Sequence, residues 1–266
     1  MDMRPDIRDL RQDFERDGAF CLRGFLDAAA LRDAQEAFDW SLANPGPGKS
    51  EFPDDPGARQ DLSNPGAFDA YRPMLERSPL PALLAQTWGS ASVWFMYEQI
   101  FLKQRGGQRT PWHQDTPYIP ADGPQMAVCW ISFDKVTEPE ALEFCLGSHL
   151  GPTHNAISFK PGDPTDPLWK DADLPRMPDI EAERGKWRIK GWAVEPGDVV
   201  IFHPSVMHGG GATGAERGRR TLSLRFFGDD TIYARRPGPT PAPRLDGLHD
   251  LATGQPFRHP DFPKLV

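Results

Sequence analysis

The chain has 266 residues, a formal net charge of -8 and an isoelectric point near 5.4. That acidic balance argues against nucleic acid or an anionic membrane surface as a partner, although a local basic pocket can still hold a small anion. Hydrophobic content of 38% with 11% aromatics supplies a sizeable core, and 29 prolines with 25 glycines favour a β-rich body with many turns over a helical bundle.

No linker, repeat or low-complexity tract interrupts the chain, so residues 1–266 read as a single domain. Three widely spaced cysteines, Cys21, Cys129 and Cys145, form no C-x-x-C pair and read as buried, reduced thiols. The charged stretch Met1 to Arg16 lacks the apolar core of a signal peptide, and no run is long enough to cross a bilayer, which makes the cytoplasm the default location.

In chain order, Pro5 opens a segment with Ile7, Leu10 and Phe14 at helical spacing, and Gly18 stops it. Ala19 to Leu22 reads as a strand. Asp27 then caps a second helix that carries Leu31, Ala34, Phe38 and Leu42 on one face. Residues 44–65 are rich in Pro, Gly and Asp and read as a loop, a candidate cover for a site; Pro79 to Trp88 reads as a third helix. From Val93 the pattern turns to β: Val93 to Tyr97, Ile100 to Leu102, Met126 to Phe133 and Ala141 to Leu146, the last ending at the turn Gly147-Ser148-His149. Residues 155–185 are polar and proline-rich, an insertion in loop form. Trp187 to Val194, the turn at Glu195-Pro196-Gly197-Asp198, the buried strand Val199 to Phe202 and a last strand from Arg219 to Phe227 complete the core. Residues 235–266 form an irregular tail that wraps the body. Helices at one end followed by runs of strands indicate an α+β, mainly β protein built on a sandwich or barrel, with a helical part over about 1–90, a core over about 92–228 and a tail over 229–266.

Within this frame one stretch carries chemistry, Trp112-His113-Gln114-Asp115. On an extended backbone His113 and Asp115 project to the same side, where one small ion can touch both. Alone, the pair reads more simply as a surface turn in which Asp115 caps the next segment and His113 is half buried. A third donor is offered by His208, ahead of Gly209-Gly210-Gly211, and two histidines with one carboxylate on one face of an ion make the facial triad of non-haem Fe(II) oxygenases. His203 competes with His208 but lacks the glycines; His149 reads as structural. Along the last strand, alternation sets Arg219, Thr221, Ser223 and Arg225 on one face and Arg220, Leu222, Leu224 and Phe226 on the other. A buried guanidinium on such a face needs an anion, either a structural carboxylate or a ligand. Lys103 and Arg225 suit a solvated or salt-bridged place at a pocket rim as well as an anionic substrate, and position makes the indole of Trp112 a candidate wall of the site.

Trp112-His113-Gln114-Asp115, Leu146-Gly147-Ser148-His149, Pro196 to Phe202, and His208 followed by Arg219-Arg220 together resemble the phytanoyl-CoA dioxygenase-like branch of the Fe(II)/2-oxoglutarate dioxygenases, over roughly residues 93–228. The resemblance implies a double-stranded β-helix, a cupin-like jelly roll, with the N-terminal helices packed on one sheet. It implies His113, Asp115 and His208 as ligands of Fe(II), Arg219 as the anchor of 2-oxoglutarate with help from Thr221 or Ser223, and Gln99 and Trp130 as cosubstrate neighbours. It further implies hydroxylation with O2 of a small organic substrate, an acyl-CoA or a secondary metabolite, releasing succinate and CO2. The alternative is a cupin-like metal-binding module without oxygenase activity. Arg219 separates the two, since a barrel that does not use 2-oxoglutarate has no need of that arginine facing the metal.

Overall fold

The computed structural model describes residues 6–51, 57–159 and 162–266. Pro5, part of the expected 44–65 loop and Pro161 of the insertion lie outside the described residues. Helix α1 (Ile7–Asp17) starts where the Asp6 carboxylate accepts the Arg8 N–H, and it stops at Gly18, whose φ of 72° is left-handed. Strand β1 (Ala19–Leu22) leads to helix α2 (Ala28–Ala43), capped by Asp27 through the N–H groups of Ala29 and Ala30.

The stretch read as a loop contains two strands, β2 (Ser50–Glu51) and β3 (Arg59–Leu62), paired antiparallel. β3 is four residues of Arg-Gln-Asp-Leu, so no apolar alternation marks it; its pairing with the strand beside it makes it β. Two short helices follow that carry no side-chain cap, α3 (Ala67–Ala70) and α4 (Arg72–Arg77), and then α5 (Leu80–Trp88) ends at left-handed Gly89. The two β segments after Val93 are one strand, β4 (Trp94–Lys103). The remaining strands are β5 (Thr110–His113), β6 (Ala121–Asp122), β7 (Met126–Ser132), β8 (Leu142–Cys145), β9 (Ile189–Gly191), β10 (Val199–Phe202), β11 (His208–Gly210), β12 (Arg219–Phe227) and β13 (Ile232–Tyr233). β9 is shorter than the expected 187–194, and Val194 instead makes a separate bridge to Val136.

A large antiparallel sheet runs β1-β10-β7-β12-β4-β3-β2 and a smaller one runs β5-β11-β8-β9, the two sheets of a jelly roll. Strand alternation sorts the large sheet. One face, with Ile100, Cys129, Ile131, Val199, Ile201, Leu222, Leu224 and Phe226, buries against Leu10, Phe14, Phe38, Leu75, Leu80 and Leu84 of the helices. Val128, Trp130, Val200 and Phe202 of the other face meet Phe144 of the small sheet. The tail wraps as expected: Phe257 and Phe262 bury against Phe227, and the Phe95 N–H donates to the Pro263 carbonyl at 2.9 Å. Among the described residues no helix is long and apolar enough to cross a membrane.

Candidate metal centre

β11 lies between β5 and β8, and the register sets His208 opposite His113 on one side and opposite Phe144 on the other. The two imidazole centroids are 4.3 Å apart. Each ring is fixed by its own backbone: Nδ1 of His113 bonds the Pro111 carbonyl at 2.8 Å, and Nδ1 of His208 bonds the Val206 carbonyl at 2.9 Å. A carbonyl only accepts, so Nδ1 carries a hydrogen in both rings and Nε2 is the atom that each ring turns toward the cluster. Asp115 follows β5 at the head of a short 3-10 turn, and its N–H and that of Thr116 donate to the Pro204 carbonyl, which ties it to the connection between β10 and β11. Its Oδ1 stands 3.6 Å from Nε2 of His113 and 3.8 Å from Nε2 of His208. The three donor atoms lie within 4.8 Å of one another, which suits one ion.

Electrostatics match that use. Burial pushes the Asp115 carboxyl up, but the Arg225 guanidinium and the two imidazoles outweigh it and hold the group well below the usual carboxylate range. Burial, together with the neighbouring His113, lowers His208 to about 4, so its Nε2 is unprotonated near neutrality.

Arg219 is buried at the start of β12. One Nη donates to the Gly211 carbonyl at 2.6 Å and the other to the Glu140 carbonyl at 2.8 Å, and the guanidinium carbon lies 5.7 Å from the Trp130 ring centre. Among the described residues its Nε has no hydrogen-bond partner and no carboxylate oxygen accepts from it. Burial lowers Arg219 to about 10, against the opposing pull of Glu140 and Asp134, which leaves it charged at neutral pH. Gly211 makes this approach feasible: its φ is 73° and a Cβ there would sit 2.7 Å from Nη2 of Arg219. Gln99, Ser223 and Trp130 form one row across β4, β12 and β7, and Thr221 sits between Phe101 and Ser132 in another.

Three sequence expectations change. Arg225 is salt-bridged, one of the readings left open for it, but not at a rim: it is 6% exposed and its Nη2 donates to Oδ2 of Asp115 at 2.9 Å. Lys103 is likewise buried, its Nζ donating to the carbonyls of Gln108 and Gly211 and to Thr110 Oγ1. Trp112 does not wall the site. As the neighbour of His113 on a strand it points to the opposite face, where it packs with Ile157, Met177 and Ile180 and donates Nε1 to Glu181 at 2.7 Å. His203 stays outside the cluster, bonding the Gly123 carbonyl through Nε2, and His149 bonds the Glu15 carbonyl. Sequence reading missed Tyr118 and Phe159. The Phe159 ring lies 5.2 Å from His113 and 5.9 Å from Tyr118, and the residue is 48% exposed. Its φ of 53° in the polar insertion left no signal in the sequence.

A jelly roll that brings two imidazole nitrogens and one carboxylate oxygen together between its sheets belongs to the cupin-like class of metal-binding double-stranded β-helices. The sequence profile of the phytanoyl-CoA dioxygenase (PhyH) family matches residues 14–221, and the chain belongs to that family. It is 25% identical over 226 residues to a probable phytanoyl-CoA dioxygenase of Caenorhabditis elegans, covering 81% of this chain and 65% of that protein. It is 30% identical over 128 residues to the peroxisomal phytanoyl-CoA dioxygenase of Homo sapiens, covering 47% of this chain and 35% of that protein. The matches thus span about two thirds of the nematode relative and about a third of the human one. Among solved structures, the epimerase SnoN in complex with Fe3+, alpha ketoglutarate and nogalamycin RO superposes with a TM-score of 0.73 at 18% identity, over 98% of both chains.

Proposed function

We propose that the chain is an Fe(II)- and 2-oxoglutarate-dependent dioxygenase that hydroxylates an unactivated carbon of a small organic substrate. The observation that carries this reading is the convergence of Nε2 of His113, Nε2 of His208 and Oδ1 of Asp115 in a site whose imidazole tautomers are already set by backbone carbonyls. Two imidazole nitrogens and one carboxylate oxygen suit Fe(II) and would leave coordination positions for a chelating cosubstrate and O2. When bound, the iron supplies the oxygen activation that couples oxidative decarboxylation of 2-oxoglutarate, to succinate and CO2, with hydroxylation.

The protein's own groups hold and orient. Arg219, buried and with no carboxylate hydrogen-bonded to it among the described residues, offers its remaining N–H groups to the far carboxylate of 2-oxoglutarate, with Thr221 and Ser223 on the same strand face. Trp130 lies 5.7 Å from that guanidinium carbon, and Gln99 stands in the same cross-strand row as Trp130. Phe159 and Tyr118 give the His113 side an aromatic flank that suits an apolar part of the substrate. Two substrate kinds fit this reading: an acyl-CoA, in line with the names of the curated relatives, or a secondary metabolite, in line with nogalamycin RO in SnoN. A purely metal-binding module would use Arg219 only for its bonds to the Gly211 and Glu140 carbonyls and would leave its Nε without a partner among the described residues.

Anaerobic titration of the Fe(II)-loaded protein with 2-oxoglutarate should develop the weak visible charge-transfer band of a chelated 2-oxo acid. Admission of oxygen with a panel of acyl-CoA and free metabolite substrates should then release succinate above a His113→Ala control. Absence of the band would remove the cosubstrate from the proposal.

A further inference from the structure

Asp115 has two carboxylate oxygens, and the structure gives them different neighbours. Oδ1 faces the two Nε2 atoms, whereas Oδ2 accepts from Nη2 of Arg225 at 2.9 Å. The same Nη2 donates to Oε1 of Gln99 at 2.7 Å, and the guanidinium carbon sits 4.7 Å from the ring centre of Tyr97. Gln99 is held in turn, its Nε2 donating to Gln60 Oε1 at 3.0 Å, and Gln60 donates to Ser50 Oγ at 3.0 Å. A chain of side chains therefore runs from the candidate metal ligand to the β2–β3 hairpin at the sheet edge.

Resting on the metal-centre reading above, we propose that Arg225, braced by Gln99 and Tyr97, is a positioning residue that makes Asp115 a one-oxygen ligand. A carboxylate free to turn can offer both oxygens to a metal and so occupy a position that a chelating cosubstrate requires. With Oδ2 engaged in a charge-assisted bond inside the protein, only Oδ1 is available. The guanidinium also exerts the opposite influence, since a buried positive charge near a cation weakens its binding. The two effects predict opposite outcomes when Arg225 is removed. Orientation prevails here because Arg225 is fixed by two oxygen acceptors and an aromatic face, and loss of such outer partners typically lowers metal affinity by about 10- to 100-fold.

The test uses Co(II), an oxygen-stable stand-in whose visible bands report ligand number, with the full chain. Arg225→Met should weaken Co(II) binding by about tenfold or more and alter the band intensities, and Arg225→Lys should restore part of the affinity. Gln99→Leu should shift both readouts in the same direction and decides the matter if Arg225→Met fails to fold, as judged by circular dichroism. Unchanged or tighter Co(II) binding with an unchanged spectrum in these variants would overturn the role given to Arg225. If the wild-type protein binds Co(II) no better than His113→Ala, the metal centre itself falls and this inference with it.

Discussion

Replacing Arg219 with methionine separates cosubstrate binding from everything else the site does. The guanidinium has five N–H donors, of which two are engaged, with the Gly211 and Glu140 carbonyls. The rest are free among the described residues to meet a carboxylate. A hydrogen bond to a charged group contributes about 1.5–3 kcal/mol, so loss of a paired contact of about 3 kcal/mol corresponds to roughly 150-fold in affinity. Methionine fills most of the same space, and the Gly211 carbonyl keeps its bond from Lys103 at 3.0 Å. The unpaired Glu140 carbonyl then costs about 1 kcal/mol, partly offset because no guanidinium has to be desolvated. Calorimetric titration of 2-oxoglutarate into anaerobic, metal-loaded Arg219→Met should therefore show a Kd raised by about two orders of magnitude, with metal affinity and melting temperature little changed. A 2-oxoglutarate Kd within about threefold of wild type would refute the assignment of the anchor.

Gly211→Ala should damage the same function from the other side, because its Cβ meets Nη2 of Arg219 at 2.7 Å and its φ is 73°. We expect a stability loss of about 1–2 kcal/mol in urea unfolding together with weaker 2-oxoglutarate binding. His203 is pushed down to about 4, chiefly by burial, so it is neutral in the folded protein and takes up a proton more readily when unfolded. Its contribution is present above pH 6.5 and is lost as pH falls toward about 4; His203→Gln should flatten that limb of a melting-temperature profile. Glu98 behaves in the opposite sense, since burial raises it to about 8 against its bond from the Asn64 N–H. Stability linked to Glu98 is full below pH 4.5 and declines as pH rises toward 8, so Glu98→Gln should gain on wild type by an amount that grows across that window.

The candidate metal cluster was legible in its residue types, with His113 and Asp115 two apart, His208 before three glycines and Arg219 on a polar strand face, although Asp115 lies past the end of β5 at the head of a 3-10 turn and not on extended backbone. The polar and apolar faces of β12 were readable from alternation alone, and Leu222, Leu224 and Phe226 do bury against the helices. Helix ends were readable where Asp27 and Gly18 supply the cap and the stop. The rest depends on partners distant in sequence. β3 is a strand because β4 lies beside it, and Arg225 meets Asp115 across 110 positions and Gln99 across 126, which no local pattern encodes. Alternation also contained the correct place for Trp112, opposite to His113, had strand period been applied to it in preference to proximity.

The cross-strand match of His113 with His208 shows what aligns the centre. Sliding β5 by one residue would turn the indole of Trp112 into the polar interior and His113 into the apolar cluster with Ile157, Met177 and Ile180. Hydrophobic sorting on the far side of the small sheet thus favours the register in which the imidazoles meet. In the metal centre proposed above, strand pairing gathers the donor side chains, so the entropy of ordering them would be met by folding and not by the ion.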